Sequence, residues 1–194
     1  AEDPVPLMAL KGDRKAGAVK AGTCGGCHGA DGNSVMPSWP KLAGQNAPYL
    51  RKQLTDFRDG HRDDPMMSGL AGVLTDQDIA DLASHFSRQE IAPIRPRNQV
   101  LLSEGRELYH NGRPADMIAP CIGCHNGRGQ GWKNVIEGGF PRIAGQHTGY
   151  TIKALKDFRS GVRANDHNAM MRAICAKLTD EDIAAVAEYV SGLP

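Results

Sequence analysis

Apolar residues along this chain recur at helical spacing. Tyr49, Leu50, Leu54 and Phe57 fall on an i, i+1, i+5, i+8 stripe that predicts a helix from Pro48 to Phe57, and Gly149 to Phe158 reads the same way. The clearest elements come later. Ile79, Leu82, Ala83 and Phe86 form one apolar face, and Ile183, Val186, Ala187 and Val190 form another. Thr75 and Thr179 stand as N-caps before them, with Asp78 and Asp182 three residues on in a capping-box arrangement whose acidic first turn suits the helix dipole. Shorter helices carrying Gly17 and Gly105 precede these segments. No stretch alternates in the manner of a strand, so the predicted fold is all-α. No run of 18 or more apolar residues occurs, so no membrane-spanning helix is expected.

The paired elements belong to a larger repeat. Cys24-Gly25-Gly26-Cys27-His28 matches Cys121-Ile122-Gly123-Cys124-His125 at an offset of 97. Pro40-Lys41-Leu42-Ala43-Gly44-Gln45 matches Pro141-Arg142-Ile143-Ala144-Gly145-Gln146 at 101, as do the Asp-Phe-Arg words at 56–58 and 157–159. Met66-Met67 matches Met170-Met171 at 104, as do the Leu-Thr-x-x-Asp-Ile words beginning at Leu74 and Leu178. Short insertions in loops account for the drift. The reading is a duplicated domain, with copies at 12–90 and 103–194. The segment 91–102, with Pro93 and Pro96 and little apolar periodicity, is the linker.

The repeated five-residue word carries the chemistry. Cys-x-x-Cys-His is the attachment signature for c-type haem. Two thiols one helical turn apart can form thioethers to the two vinyl groups of one porphyrin, and the next residue supplies a nitrogen to the iron. Cys24 and Cys27, and Cys121 and Cys124, are therefore the covalent attachment points, with His28 and His125 as ligands. A lone Cys-x-x-Cys would also fit a redox dithiol or half a zinc site. A zinc site built from both pairs would leave the two histidines idle.

Composition agrees with two haem c groups. Aromatics make up 5% of the 194 residues and mean hydropathy is −0.42, lean for two independent cores. A porphyrin in each copy supplies apolar surface, and domains of about 80–100 residues are within the usual range. Four of the five cysteines are used by the two words, which leaves no disulfide framework. Covalent haem attachment and a start at Ala1-Glu2-Asp3-Pro4 lead to the expectation of a mature periplasmic chain after signal-peptide removal, with loose attachment to the inner membrane as an option. Residues 1–90 carry net charge −2 and residues 91–194 carry +3, a difference small enough for ordinary surface scatter.

The order of motifs resembles class I cytochrome c. Each copy has the haem word, then Pro-x-Leu or Pro-x-Ile after twelve residues (sixteen in the second), then Met ahead of Leu-Thr-x-x-Asp-Ile. The duplication, the Ala-Gly-Gln words and the Asp-Phe-Arg words resemble the dihaem cytochrome c4 family in particular, over about residues 12–194. The repeat alone does not separate the members of each Met pair. The resemblance implies Met67 and Met171 as the sixth ligands, because the family's methionine stands eight residues before the cap of the last helix. Met66 and Met170 would then pack near the porphyrin as polarizable filler. Pro40 and Pro141 occupy the place where the family turns a backbone carbonyl to the iron-bound histidine. Trp39 and Phe140 resemble its haem-edge aromatic. Tyr49 and Tyr150 are candidates to reach haem propionates, with simple packing as the alternative.

Other residues carry plainer expectations. Met8, Met36 and Met117 are read as surface or core. His61, His85, His110, His147 and His167 recur at no equivalent place and are read as surface or propionate-side groups. Cys175 is read as a small buried apolar residue. The aromatic Tyr109 of the second copy is matched by Ala21 in the first, so small residues face Phe86 there.

The resemblance implies a periplasmic electron carrier, not an enzyme, passing single electrons to a haem-copper terminal oxidase. Its donors would be a cytochrome bc complex or a small carrier such as a blue copper protein. The alternatives are an electron-accepting subunit of a sulfur-oxidising enzyme and a dihaem peroxidase.

Overall fold

The computed structural model describes residues 10–194; Met8 lies outside them. The described residues contain ten α-helices and two short 3-10 turns: α1 (Arg14–Lys20), α2 (Gly22–His28), α3 (Ala47–Arg58), α4 (Pro65–Ala71) and α5 (Asp76–Phe86), then α6 (Gln99–Asn111), α7 (Ile122–His125), α8 (Thr148–Ser160), α9 (Met170–Cys175) and α10 (Asp180–Ser191). The only sheet-like pairings among them are two isolated bridges, Arg113 with Ile118 and Trp132 with Phe140. The architecture is all-α, as its periodicity implies.

Local chemistry sets the helix starts. Asp13 Oδ1 accepts from the amides of Lys15 and Ala16 and opens α1. Thr75 and Thr179 make full capping boxes with Asp78 and Asp182 at the heads of α5 and α10. Asn98 accepts from the Val100 and Leu101 amides, so α6 begins at Gln99, inside the stretch expected to be linker.

In each half the first helix crosses the last at a glycine. A Cβ on Gly17 would lie 2.1 Å from the carbonyl oxygen of Asp81, and one on Gly105 would lie 2.0 Å from that of Ala185. The two backbones touch, which no side chain permits. This crossing also explains a departure. His85, expected as a surface or propionate-side group, is buried, because α1 comes down on α5 and covers it; its ring packs edge-on to Phe86 at 4.9 Å.

Two separate cores result. Leu108, Tyr109, Ile118, Leu155, Phe158, Cys175, Leu178, Ile183, Val186 and Val190 form the second. The first is smaller: Ala21, Leu50, Leu82, Ala83 and Phe86. Tyr109 is fully buried and donates to the Asn126 carbonyl at 2.5 Å, whereas Ala21 fills the matching place in the first half with almost nothing. Cys175 is fully buried, as expected, and its counterpart Ala71 is equally buried.

The connector between the halves is pinned along its length. Asn33 donates to the Glu90 carbonyl and accepts from the Ala92 amide, and Lys41 Nζ donates to the Ala92 carbonyl. On the other side Glu188 accepts from the Arg97 and Asn98 amides. Ile91 lies against Gly44 of one half and Gly145 of the other.

The helix crossing generates a prediction. Gly105→Ala should lower stability by about 3 kcal/mol, the upper end of overpacking costs, because the obstruction is backbone. Denaturant unfolding of the holoprotein followed by circular dichroism measures it, and Gly17→Ala should behave alike.

Candidate functional site: two buried histidines and the domain interface

His28 ends α2 and His125 ends α7, and each is 7% exposed. His28 Nδ1 lies 2.8 Å from the carbonyl oxygen of Pro40, and His125 Nδ1 lies 3.0 Å from that of Pro141. A carbonyl only accepts, so Nδ1 carries the proton in both rings and Nε2 holds a free lone pair. Burial lowers the pKa of both rings, outweighing the opposing effect of the proline carbonyls, and keeps them neutral. Each is a neutral, oriented imidazole presenting one nitrogen for coordination.

The chain must turn sharply after each histidine. Gly29 does so at φ +80°. Asn126 does so at φ +58°, and its side chain organises the following loop by accepting from the Arg128 and Gln130 amides and donating to the Gly131 carbonyl. With ψ at 173° this is a conformation almost confined to glycine, so the hydrogen bonds of the Asn126 side chain hold a strained backbone position.

The four cysteines of the repeated words are half-buried and unpaired. Burial pushes the Cys24 thiol up and the Cys121 thiol to about 11. A redox dithiol needs a depressed pKa, so this environment speaks against that alternative. Among the described residues no three His, Cys, Asp or Glu side chains converge on a metal-sized point, which disfavours a zinc cluster.

The Met pairs divide the same way in both halves. Met67 is half-buried on α4 and Met171 half-buried on α9, the latter packed on the second core. Met66 is 54% exposed and Met170 36% exposed. Met66 and Met170, expected to pack near the porphyrin, are thus the more exposed member of each pair. Consecutive helical residues point about 100° apart, so only one of two neighbours can face inward. Asp64 caps α4 through the Met66 and Met67 amides. The three-residue insertion of the second half is absorbed just before α9, where Asn168 (φ +49°) and Ala169 (φ +55°) turn left-handed and Asp166 accepts from the Arg172 amide.

The halves meet through polar contacts that sequence reasoning did not single out. Arg163, 6% exposed, donates to Tyr49 Oη at 2.8 Å and to Gln53 Oε1 at 2.9 Å. Arg62 donates to the same Gln53 oxygen at 2.7 Å and to Tyr150 Oη at 3.3 Å. Each guanidinium also stacks on the phenylalanine of its own half, Arg62 over Phe57 at 4.5 Å and Arg163 over Phe158 at 4.4 Å. Burial would raise the Tyr150 pKa, but the charges of Arg62 and Arg163 outweigh it and bring it below the ordinary phenol range. The only signal for these arginines in the sequence is their recurrence at the offset of 101. Elsewhere Asn46 donates to the Phe140 carbonyl, and His147 Nε2 lies 2.8 Å from the Ser34 carbonyl. His147 is thus an interface residue.

The residues present fit a haem c in each half. The thiols stand beside a neutral histidine with a free Nε2, and Met67 or Met171 is half-buried on a neighbouring helix. Between the halves, two guanidiniums converge on one neutral amide oxygen beside two phenols, a cluster suited to carboxylates such as propionates.

A fold of two such units is that of a tandem c-type cytochrome, and the family model described as Cytochrome c matches residues 15–88 and 102–194. The chain is 45% identical over 188 residues to a cytochrome c4 of Pseudomonas aeruginosa, covering 96% of this chain and 92% of that protein. The crystal structure of reduced recombinant cytochrome c4 from Pseudomonas stutzeri superposes with a TM-score of 0.89 at 41% identity, covering 94% of this chain and all of that one. A thiosulfate dehydrogenase electron acceptor of Stutzerimonas stutzeri is 34% identical, covering 88% of this chain and 78% of that protein. The chain belongs to the cytochrome c4 family of dihaem electron-transfer proteins, and its cofactors are two haem c groups.

The interface generates a prediction. Arg163→Met should cost about 2–3 kcal/mol, since it leaves Tyr49 and Gln53 short of a charged donor at a buried position. The loss falls on the contact between halves, so urea unfolding should split from one transition into two.

Proposed function

We propose that this chain is a periplasmic electron carrier, with His28 and Met67 holding one iron and His125 and Met171 the other. The observation that carries this reading is the matched asymmetry of the Met pairs: in each half one methionine is half-buried and its neighbour is the more exposed. When bound, the iron porphyrin supplies one-electron chemistry, cycling between ferrous and ferric states. The protein's residues do the rest. Cys24, Cys27, Cys121 and Cys124 anchor the group, and the Pro40 and Pro141 carbonyls hold each imidazole in one tautomer. Met67 and Met171 would each give their iron a thioether ligand beside the histidine, which would raise the potential and close the site to exogenous ligands. Tyr49, Tyr150, Arg62 and Arg163 stand between the halves to receive propionates.

The donors in this reading are a cytochrome bc complex or a small carrier such as a blue copper protein, and the acceptor is a haem-copper terminal oxidase. No helix among the described residues is long and apolar enough to cross a membrane. A second reading, that the chain accepts electrons from a sulfur-oxidising enzyme, is favoured by its likeness to the Stutzerimonas stutzeri acceptor. A dihaem peroxidase would need one iron with an open site beside an acid–base group. The two halves offer instead a half-buried methionine at the same place in the repeat.

Ligation is tested by the ferric spectrum. The sulfur-to-iron charge-transfer band should carry full intensity for two haems. Met67→Ala or Met171→Ala should each remove about half of it and lower one potential, while Met66→Ala and Met170→Ala leave it unchanged. Loss of the band in Met66→Ala with retention in Met67→Ala would overturn the assignment.

The carrier role is tested by stopped-flow and steady-state assays. Terminal-oxidase membranes should oxidise the reduced protein, and hydrogen peroxide or thiosulfate alone should give negligible turnover against an ordinary enzymatic rate of about 10 per second. Rapid reduction by a thiosulfate dehydrogenase, with none by a cytochrome bc complex, would move the assignment to the second reading.

A further inference from the structure

The glutamine closing each Ala-Gly-Gln word reaches into the other half. Gln146 Oε1 accepts from the Lys41 amide at 2.9 Å, and Gln146 Nε2 donates to the Lys41 carbonyl at 3.0 Å. Gln45 repeats this across the interface: its Oε1 accepts from the Arg142 amide at 2.8 Å, and its Nε2 donates to the Arg142 carbonyl at 2.7 Å. The backbone partners fix the orientation of both amides. Both side chains are buried, Gln45 at 7% and Gln146 at 8% exposure. Each Oε1 also accepts from the amide of the next residue, Asn46 or His147, which uses both lone pairs and locks the rotamer.

The contacted amide is not an arbitrary one. The Lys41 N–H and the Pro40 carbonyl belong to one peptide unit, and that carbonyl takes the proton of His28 Nδ1. A continuous chain therefore runs from His28 through the Pro40–Lys41 peptide to Gln146 in the second half. Its mirror image runs from His125 through the Pro141–Arg142 peptide to Gln45 in the first.

We propose that Gln45 and Gln146 are crossed positioning residues: each strengthens the hydrogen bond on the axial histidine of the opposite half and so tunes the iron held there. This rests on His28 and His125 being the iron ligands. The physical step is polarisation. A hydrogen bond accepted from a peptide N–H makes the carbonyl of the same peptide a better acceptor. A better acceptor at Nδ1 gives the imidazole more electron density, which favours ferric iron and lowers the potential. The two halves are thereby coupled through their backbones, independently of any contact between the cofactors.

The test uses the full-length holoprotein. In Gln146→Met the iron held by His28 should become easier to reduce, by a threefold to tenfold change in equilibrium constant, tenfold being about 59 mV for a one-electron couple. The His28 Nδ1–H resonance of the reduced protein should move upfield, while the iron held by His125 stays near its native potential. Gln45→Met should give the mirrored result, and it carries the test if Gln146→Met fails to assemble. Gln146→Glu keeps an acceptor oxygen on the Lys41 amide and should hold the His28 resonance near its native position. Equal shifts at both irons in either variant would mean simple loosening of the interface and would overturn the proposal. So would a shift confined to the half that carries the mutation, or none. If His28 is not a ligand, its ring-current-shifted resonances are missing from the wild-type spectrum, which separates that failure from this one.

Discussion

Everything in this protein is arranged around an imidazole that must be buried, neutral and held in one orientation. A buried histidine with an unpartnered N–H would carry the cost of an unmade hydrogen bond, roughly 1–3 kcal/mol. Pro40 and Pro141 remove that cost with a carbonyl. The consequence is directional: with Nδ1 committed, Nε2 is the only nitrogen left for coordination. The positive-φ turns at Gly29 and Asn126 then lead the chain back so that each proline can arrive where it is needed.

The duplication has not produced two equal halves. The second half fills its core with Tyr109, Ile118 and Leu155, while the first places Ala21 where Tyr109 would be. A small cluster of this kind leaves much of its stability to the porphyrin and its ligation, as in other small domains that depend on a bound metal. The first half should accordingly lean more heavily on its cofactor, and on the second half across the interface. The insertions of the second half sit in the 112–120 segment, the Trp132–Phe140 excursion and the turn before α9.

The interface is polar and locked. Arg62 and Arg163 share Gln53, Gln45 and Gln146 grip opposite backbones, and Ile91 of the connector lies against a glycine from each side. An electron passing between two sites needs a fixed separation and little reorganisation, and directional bonds to buried backbone hold a distance better than an apolar contact that can slide. Met66 and Met170, in contrast, lie exposed.

Whereas α4, α9 and the caps Asp13, Asp64 and Asn98 were not legible in the chain itself, the first, middle and last helices of each half, the threonine caps, the duplication and the haem words were. Each depends on residues close in sequence: a threonine and an aspartate three apart, an apolar face at helical spacing, two cysteines and a histidine on one turn. Proximity along the chain is enough for those. It did not separate Met67 from Met66, because both recur at one offset; which neighbour is the more buried follows from the way α4 seats on α3. Nor did it show that His85 is buried, since that depends on Gly17 bringing α1 against α5. The crossed glutamines and the shared arginines join residues about a hundred positions apart. Their side chains are ordinary polar ones, with no local signature of the bonds they make. Only the packing of one half against the other supplied their partners, and with them whatever coupling the two sites possess.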